Sequence, residues 1–219
     1  VIVEVNSETD FVSKADDFIA FVDSVAELVL AERPADLDVL LATKLPGGST
    51  VEDTRKELIA QLGENMSVRR FEIINAKGQV ATYSHGSRIG VLIDIEGGDA
   101  ALGKDLAMHV AASRPVCVDE SHVPQDELDK EKEIYTAQAQ ESGKPAEIIE
   151  KMVQGRLKKF LKEITLLGQP FVKDPDQTVE NLLKDKSAKI HSFVRLEVGE
   201  GIEKKQENFA DEVMAQVKG

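Results

Sequence analysis

The sequence predicts an α+β fold. It has two related subdomains, each a small antiparallel sheet with packed helices, plus a projecting antiparallel helical hairpin of coiled-coil type. Three observations lead there. Hydrophobic spacing is helical through residues 15–62, turns strand-like over 68–95, and is helical again after 99. Three apolar runs carry an acid one place before their last residue: VIVEV (1–5), VLIDI (91–95) and VRLEV (194–198). Each run is followed by a glycine-rich or polar loop and then a helical pattern, so a strand–loop–helix unit recurs. Finally, residues 126–164 are highly charged, carry no strand signal and are broken once, at Ser142-Gly143-Lys144-Pro145.

Taken in chain order, VIVEV opens as a strand and SETDFVSK (7–14) follows as a loop with an aromatic in it. Ser13, with Asp16 three residues on, predicts a helix start. From Ala15 to Leu30, Phe18, Phe21, Val22, Val25, Leu28 and Val29 recur at helical spacing. A short helix is expected over Asp36–Leu45, ending at Pro46-Gly47-Gly48. Thr50 with Asp53 starts another that carries Leu58, Ile59 and Leu62 and stops at Gly63. Strands are expected over Val68–Ile74, Gln79–Tyr83 and Arg88–Ile95, with turn signals between them, and a helix over Asp99–Ser113. A strand over Lys189–Val198 and a helix over Ile202–Val217 close the chain. The echo is tightest between its later copies. Ile95 to Leu106 and Val198 to Phe209 have the same separation and align LAMHV with FADEV.

In the charged stretch, Gly143 suits a helix C-terminus and Pro145 the first turn of the next helix. Ile149, Val153, Leu157, Phe160 and Ile164 then form a seam for one partner helix, matched more thinly by Leu128, Tyr135 and Ala139. The expected division is residues 1–78 for the first half, 79–117 with 168–202 for the second, 118–167 for the hairpin and 203–219 for a C-terminal helical module.

The 219 residues include 27 basic and 40 acidic side chains, a net charge of −13, and only 5% aromatics with no Trp. Direct nucleic-acid binding is disfavoured, because phosphate neutralisation needs clustered Lys and Arg. No apolar run approaches the ~20 residues of a membrane span. The single Cys117 excludes an internal disulfide framework and suits a reducing cytoplasm. The chain begins at Val1, already inside a strand-like run, as a fragment would.

Catalytic signatures are missing. His85, His109, His122 and His191 stand at no metal-binding spacing, and no phosphate-binding glycine loop or nucleophile elbow occurs. His109 falls on the stripe of Leu102, Leu106 and Val110, as a partly buried packing residue would. His85, in a YSHG turn, suits a contact role or a turn role. Asp10, Asp16 and Asp17 could be grouped as a metal site, but acids at a helix start are also favoured by the helix dipole. No cofactor and no metal are expected. Phe11 has two readings, a staple folded on its own helix or an exposed wedge for another protein.

The string EVNSETDFVSK (4–14) closely resembles the signature of bacterial elongation factor Ts. GENMSVRR (63–70), YSHGSRIGVL (83–92), MHVAASRP (108–115), SGKPAEIIEKMVQGRLKKF (142–160), LLGQPFVKD (166–174) and EVGEGIEK (197–204) resemble the same family in the same order. The resemblance spans essentially the whole chain and implies the core and C-terminal part, without the family's small helical N-terminal module. It implies a guanine-nucleotide exchange factor for elongation factor Tu that performs no covalent chemistry. It also implies that Thr9, Asp10, Phe11 and Val12 insert beside the partner's magnesium and nucleotide, with Asp10 and Phe11 disturbing the site, and that Leu62 and His85 meet the partner's third domain. The hairpin corresponds to the family's projecting coiled coil, and the final helix to a module that also touches the partner. Two other functions stand beside this one. One is an inert adaptor that recruits proteins through the hairpin, and the other is a metal-dependent hydrolase using Asp10, Asp16 and Asp17.

Overall fold

In the first half an antiparallel ribbon lies against three helices. In the computed structural model, which describes residues 1–202, β1 (Ile2–Ser7) pairs with β2 (Met66–Glu72), Ile2 opposite Glu72 and Ser7 opposite Met66. Helix α1 (Asp16–Glu32) buries Phe18, Phe21, Val25, Leu28 and Val29, the stripe that the spacing predicts, against α3 (Val51–Leu62) and β1. Its start differs from expectation. Ala15 occupies the N-cap with no side-chain cap, while Ser13 is taken into a 3-10 turn (Val12–Lys14) and donates from Oγ to the Asp10 carbonyl at 3.0 Å. The loop's own hydrogen bonds outcompete the helix for that hydroxyl. Helix α2 (Leu37–Ala42) is shorter than Asp36–Leu45 because Asp36 is its cap, accepting from Val39 N–H, and Thr43 is already extended. Thr50 caps α3 as expected, accepting from Asp53 N–H at 3.0 Å, and the helix ends at Gly63 in a left-handed conformation with φ of 76°.

The second half is a three-stranded antiparallel sheet in the order β3 (Gln79–His85), β4 (Ile89–Glu96), β7 (Lys189–Glu197). Asp99 caps α4 (Ala100–Ser113), accepting from Leu102 N–H at 2.8 Å, and α4 lies across β3 and β4. Leu106, Val110, Val91, Ile93 and Ile190 share this core. Segment 165–188, for which the sequence predicted no elements, holds a two-stranded ribbon, β5 (Pro170–Phe171) with β6 (Asp174–Thr178), and a helix α7 (Val179–Asp185). These strands are too short and too rich in Asp and Pro to show an alternating pattern. Phe171, Val179, Leu182 and Leu183 nevertheless complete the second core.

The recurring acids turn out to do three different jobs. Asp94 is buried and accepts from the backbone N–H groups of Lys77 and Gly78 at 2.8 and 2.9 Å, closing the loop before β3. Burial pushes its pKa up, but these bonds outweigh it and hold the carboxyl below its ordinary range. Glu197 pairs with Arg195 at 2.6 Å and Arg114 at 2.8 Å. Glu4 sits between the halves.

Helices α5 (Gln125–Gln140) and α6 (Ala146–Ile164) form the hairpin, joined by five residues in which Gly143 has φ of 66°. Ala139 and Val153 are buried between them, and Ile149, Leu157, Phe160 and Ile164 are half-buried along the predicted seam. Arg156 ties the arms together, donating to Gln138 at 2.7 Å and lying 5.9 Å over the Tyr135 ring. At the hairpin's base Cys117 bridges Thr165, and Val118 and Leu166 enter the second core. His109 is fully buried, more deeply than expected. It faces Gln169 through Nε2 at 2.9 Å and accepts from Val172 N–H through Nδ1 at 3.1 Å. Gln169 in turn donates to the Glu163 carbonyl, so α4, the end of α6 and the residues flanking β5 share one satisfied network. The closing helix predicted over Ile202–Val217, its half of the FADEV echo and the 203–219 module lie outside the described residues. Among the described residues no helix is long and apolar enough to cross a membrane.

Candidate partner-binding site

The loop between β1 and α1 is fastened from below and open above. Val12 is only 7% exposed and lies in the first core, whereas the neighbouring Phe11 is 87% exposed. Of the two readings of Phe11, the staple therefore fails, because Val12 takes the inward place. The turn is built from Thr9, whose carbonyl accepts from Ser13 N–H at 3.3 Å and from Ser7 Oγ at 3.1 Å. Lys14 N–H donates to the Phe11 carbonyl and Ala15 N–H to that of Val12, so these bonds hold the turn in shape while its aromatic ring is displayed.

A carboxylate that the sequence did not single out moors this loop. Glu64 accepts from both the Thr9 hydroxyl, at 2.6 Å, and the Thr9 N–H, at 3.1 Å. It stands in the turn after Gly63, so the left-handed end of α3 swings it towards the loop. The only sequence signal for it was its place in the GENMSVRR string, since the pair is 55 residues apart. Leu62, the last residue of α3, is half-buried against the first core just before this turn. The structure thus brings Leu62 and Thr9–Val12 to one region through Glu64. Asp10 is exposed at its outer edge.

His85 lies elsewhere, at the end of β3 on the hairpin to β4. It is exposed, faces Ile89 across the ladder, and its Nδ1 lies 3.2 Å from the Tyr83 hydroxyl with the two rings stacked. Gly86 supplies the left-handed turn at φ of 58°. Between the halves runs a groove of about 370 Å3, lined by Ser13, Phe18 and Ile19 on one side and Ser84, Gly86 and Ile89 on the other. The Phe11 turn and the His85 turn therefore border the same groove from opposite halves.

Among the described residues no three His, Cys, Asp or Glu side chains converge as metal ligands would. Asp17 instead accepts from Gln61 at 2.6 Å. The features that stand out are the presented Phe11 ring, the His85 imidazole on its turn and a projecting helix pair, which suit contact with another macromolecule.

The comparisons agree with the residue patterns. The sequence model of the family described as Elongation factor TS matches residues 8–200. Elongation factor Ts of Thioalkalivibrio sulfidiphilus is 64% identical over 219 residues, covering 99% of this chain and 74% of that protein. Elongation factor Ts of Methylococcus capsulatus is 61% identical over 218 residues, with 99% and 74% covered. Elongation factor Ts of Halorhodospira halophila is 63% identical over 218 residues, with 100% and 75% covered. By this match along nearly its whole length, the chain belongs to the elongation factor Ts family of translation elongation factors.

Proposed function

We propose that the chain is a guanine-nucleotide exchange factor that binds elongation factor Tu and speeds the loss of its GDP. The observation that carries this reading is Phe11, an aromatic displayed on a loop whose neighbours Thr9 and Val12 are tied down. Its role is to enter the partner beside the magnesium and nucleotide, together with Asp10. Magnesium links phosphate oxygens to the protein that holds them, so displacing its ligands loosens the nucleotide. Fully burying a phenylalanine is worth about 1.5–3 kcal/mol, comparable with a typical coupling energy between two sites. Leu62 and His85 would dock a different part of the partner and supply affinity rather than coupling.

The working division is residues 1–78 and 79–117 with 168–202 as two contact-bearing halves, 118–167 as a projecting arm and 203–219 as a further contact. The same reading puts the protein in the cytoplasm, where elongation proceeds, with no covalent chemistry of its own. The test is stopped-flow release of a fluorescent GDP from elongation factor Tu with increasing amounts of this chain. Acceleration that saturates supports the reading. An unchanged rate at every concentration would overturn it in favour of an adaptor acting through the hairpin.

A further inference from the structure

Glu4 is a carboxylate in an unusual place. It is 3% exposed and sits where the two halves meet. From its own half, Arg69 Nη1 donates to both carboxylate oxygens at 2.9 and 3.1 Å, and Arg70 Nε donates at 2.5 Å. From the other half, the N–H of Gly199, just beyond β7, donates at 3.0 Å. The same two arginines continue across the junction. Arg70 donates to the Glu197 carbonyl at 3.3 Å and approaches the Glu200 carboxylate at 3.5 Å, and Arg69 donates to the Glu200 carbonyl. Nearby the strands touch directly: Ile2 Cδ1 of β1 lies 2.7 Å from where a Cβ on Gly90 of β4 would sit, so the Ile2 side chain packs over the bare backbone of Gly90. Burial pushes Glu4 up, but the Gly199 N–H and the two guanidiniums outweigh it and hold the carboxyl below its ordinary range.

We infer that Glu4 is a positioning residue for exchange. It locks the half that carries Phe11 to the half that carries His85, so that both reach the partner in one docked arrangement. The inference rests on the exchange reading. Two contacts on one rigid body engage together without an ordering cost. Once the lock is loosened, only the fraction of molecules in the docked arrangement binds, and the apparent affinity falls by that fraction. The wedge itself is unchanged, so the rate at saturation is retained. Glu4→Gln is the direct perturbation, because its amide would turn N–H groups towards the guanidiniums that the carboxylate now accepts from.

The experiment measures GDP release against concentration for the full chain as wild type, Glu4→Gln and Arg70→Gln. Arg70→Gln leaves Glu4 paired with Arg69 and Gly199, so it carries the test if Glu4→Gln does not fold. In parallel, a distance distribution is measured between spin labels at Glu27→Cys and Gln79→Cys, with Cys117→Ser in the background. Glu4→Gln is expected to broaden the distribution and raise the half-saturating concentration roughly tenfold, the shift that follows if about a tenth of molecules stay docked. Its plateau rate should remain within about twofold of wild type, and Arg70→Gln should show a smaller rise in the same direction. A narrow distribution and unchanged half-saturation, with only a lower melting temperature, would reduce Glu4 to a stability role and overturn the inference. So would a lowered plateau at unchanged half-saturation. If the wild type itself fails to accelerate release, the exchange reading falls and this inference with it, while the label distances still report whether Glu4 locks the halves.

Discussion

Truncating Phe11 to alanine separates what the ring does for folding from what it does for binding. The side chain is 87% exposed, so folding shelters only about an eighth of it. With about 1.5–3 kcal/mol for full burial, that eighth is worth about 0.2–0.4 kcal/mol, a melting shift near 1 °C for a chain of this size. Insertion into a partner pocket would bury the rest, about 1.3–2.6 kcal/mol, or a factor of roughly 10 to 80 in the step that uses it. Phe11→Ala is therefore expected to melt with the wild type and to lower the saturating exchange rate about tenfold or more. Val12→Ala provides the contrast. At 7% exposed it loses buried methyl groups worth about 2 kcal/mol and should melt about 4–8 °C lower. The assay pairs thermal melts by circular dichroism with GDP release at saturating factor. If Phe11→Ala melts more than about 4 °C early and keeps its plateau, the ring is a packing residue and the reasoning fails.

Three further expectations concern the rest of the molecule. His85→Ala should raise the factor concentration needed for half-maximal release while leaving the plateau far higher than Phe11→Ala does; equal plateaus would refute a docking role. Replacing residues 128–162 with a short Gly/Ser linker should leave a body that still unfolds cooperatively, because Ala139 and Val153 are buried within the hairpin itself and Leu166 stays with the second core. A broad, non-cooperative melt of that deletion would place the hairpin in the core. His109 is held below its ordinary range by burial, which the bond to Gln169 offsets only in part. The unfolded chain therefore takes up a proton near pH 6.5 that the folded chain resists. Stability should be full above that pH and fall by up to about 1.4 kcal/mol per unit below it, and denaturant titrations at pH 7 and 5.5 should show this loss shrinking in His109→Gln.

Local chemistry was the legible part of this sequence. Thr50 with Asp53, Gly63 and the seam from Ile149 to Ile164 act as their residue types dictate, because caps, left-handed ends and helical stripes depend on neighbours within a turn or two. Ser13 misled for the same reason. The pattern of a cap was present, but a competing hydrogen bond to the Asp10 carbonyl won. The exposure of Phe11 could not be read, since staple and wedge share one sequence and differ only in where Val12 points. Glu64 and Glu4 were invisible as anchors because their partners lie 55 to 195 residues away in the chain. A carboxylate in a turn or a strand says nothing by itself about which distant donor it will meet. The ribbon at 170–178 escaped because its place is set by packing on α7 and the second core, not by any period of its own.

The claim that this chain loosens a bound nucleotide is a statement about coupling, and coupling is reciprocal. The most direct measurement is the equilibrium affinity of the chain for elongation factor Tu in two states, nucleotide-free and saturated with GDP and magnesium. It is set beside the affinity of GDP for the partner with and without saturating chain. The account predicts that the chain binds the nucleotide-free form more tightly, and that the two affinity ratios agree within error. Equal affinity for both forms would contradict it, because a ligand that does not distinguish two states shifts neither.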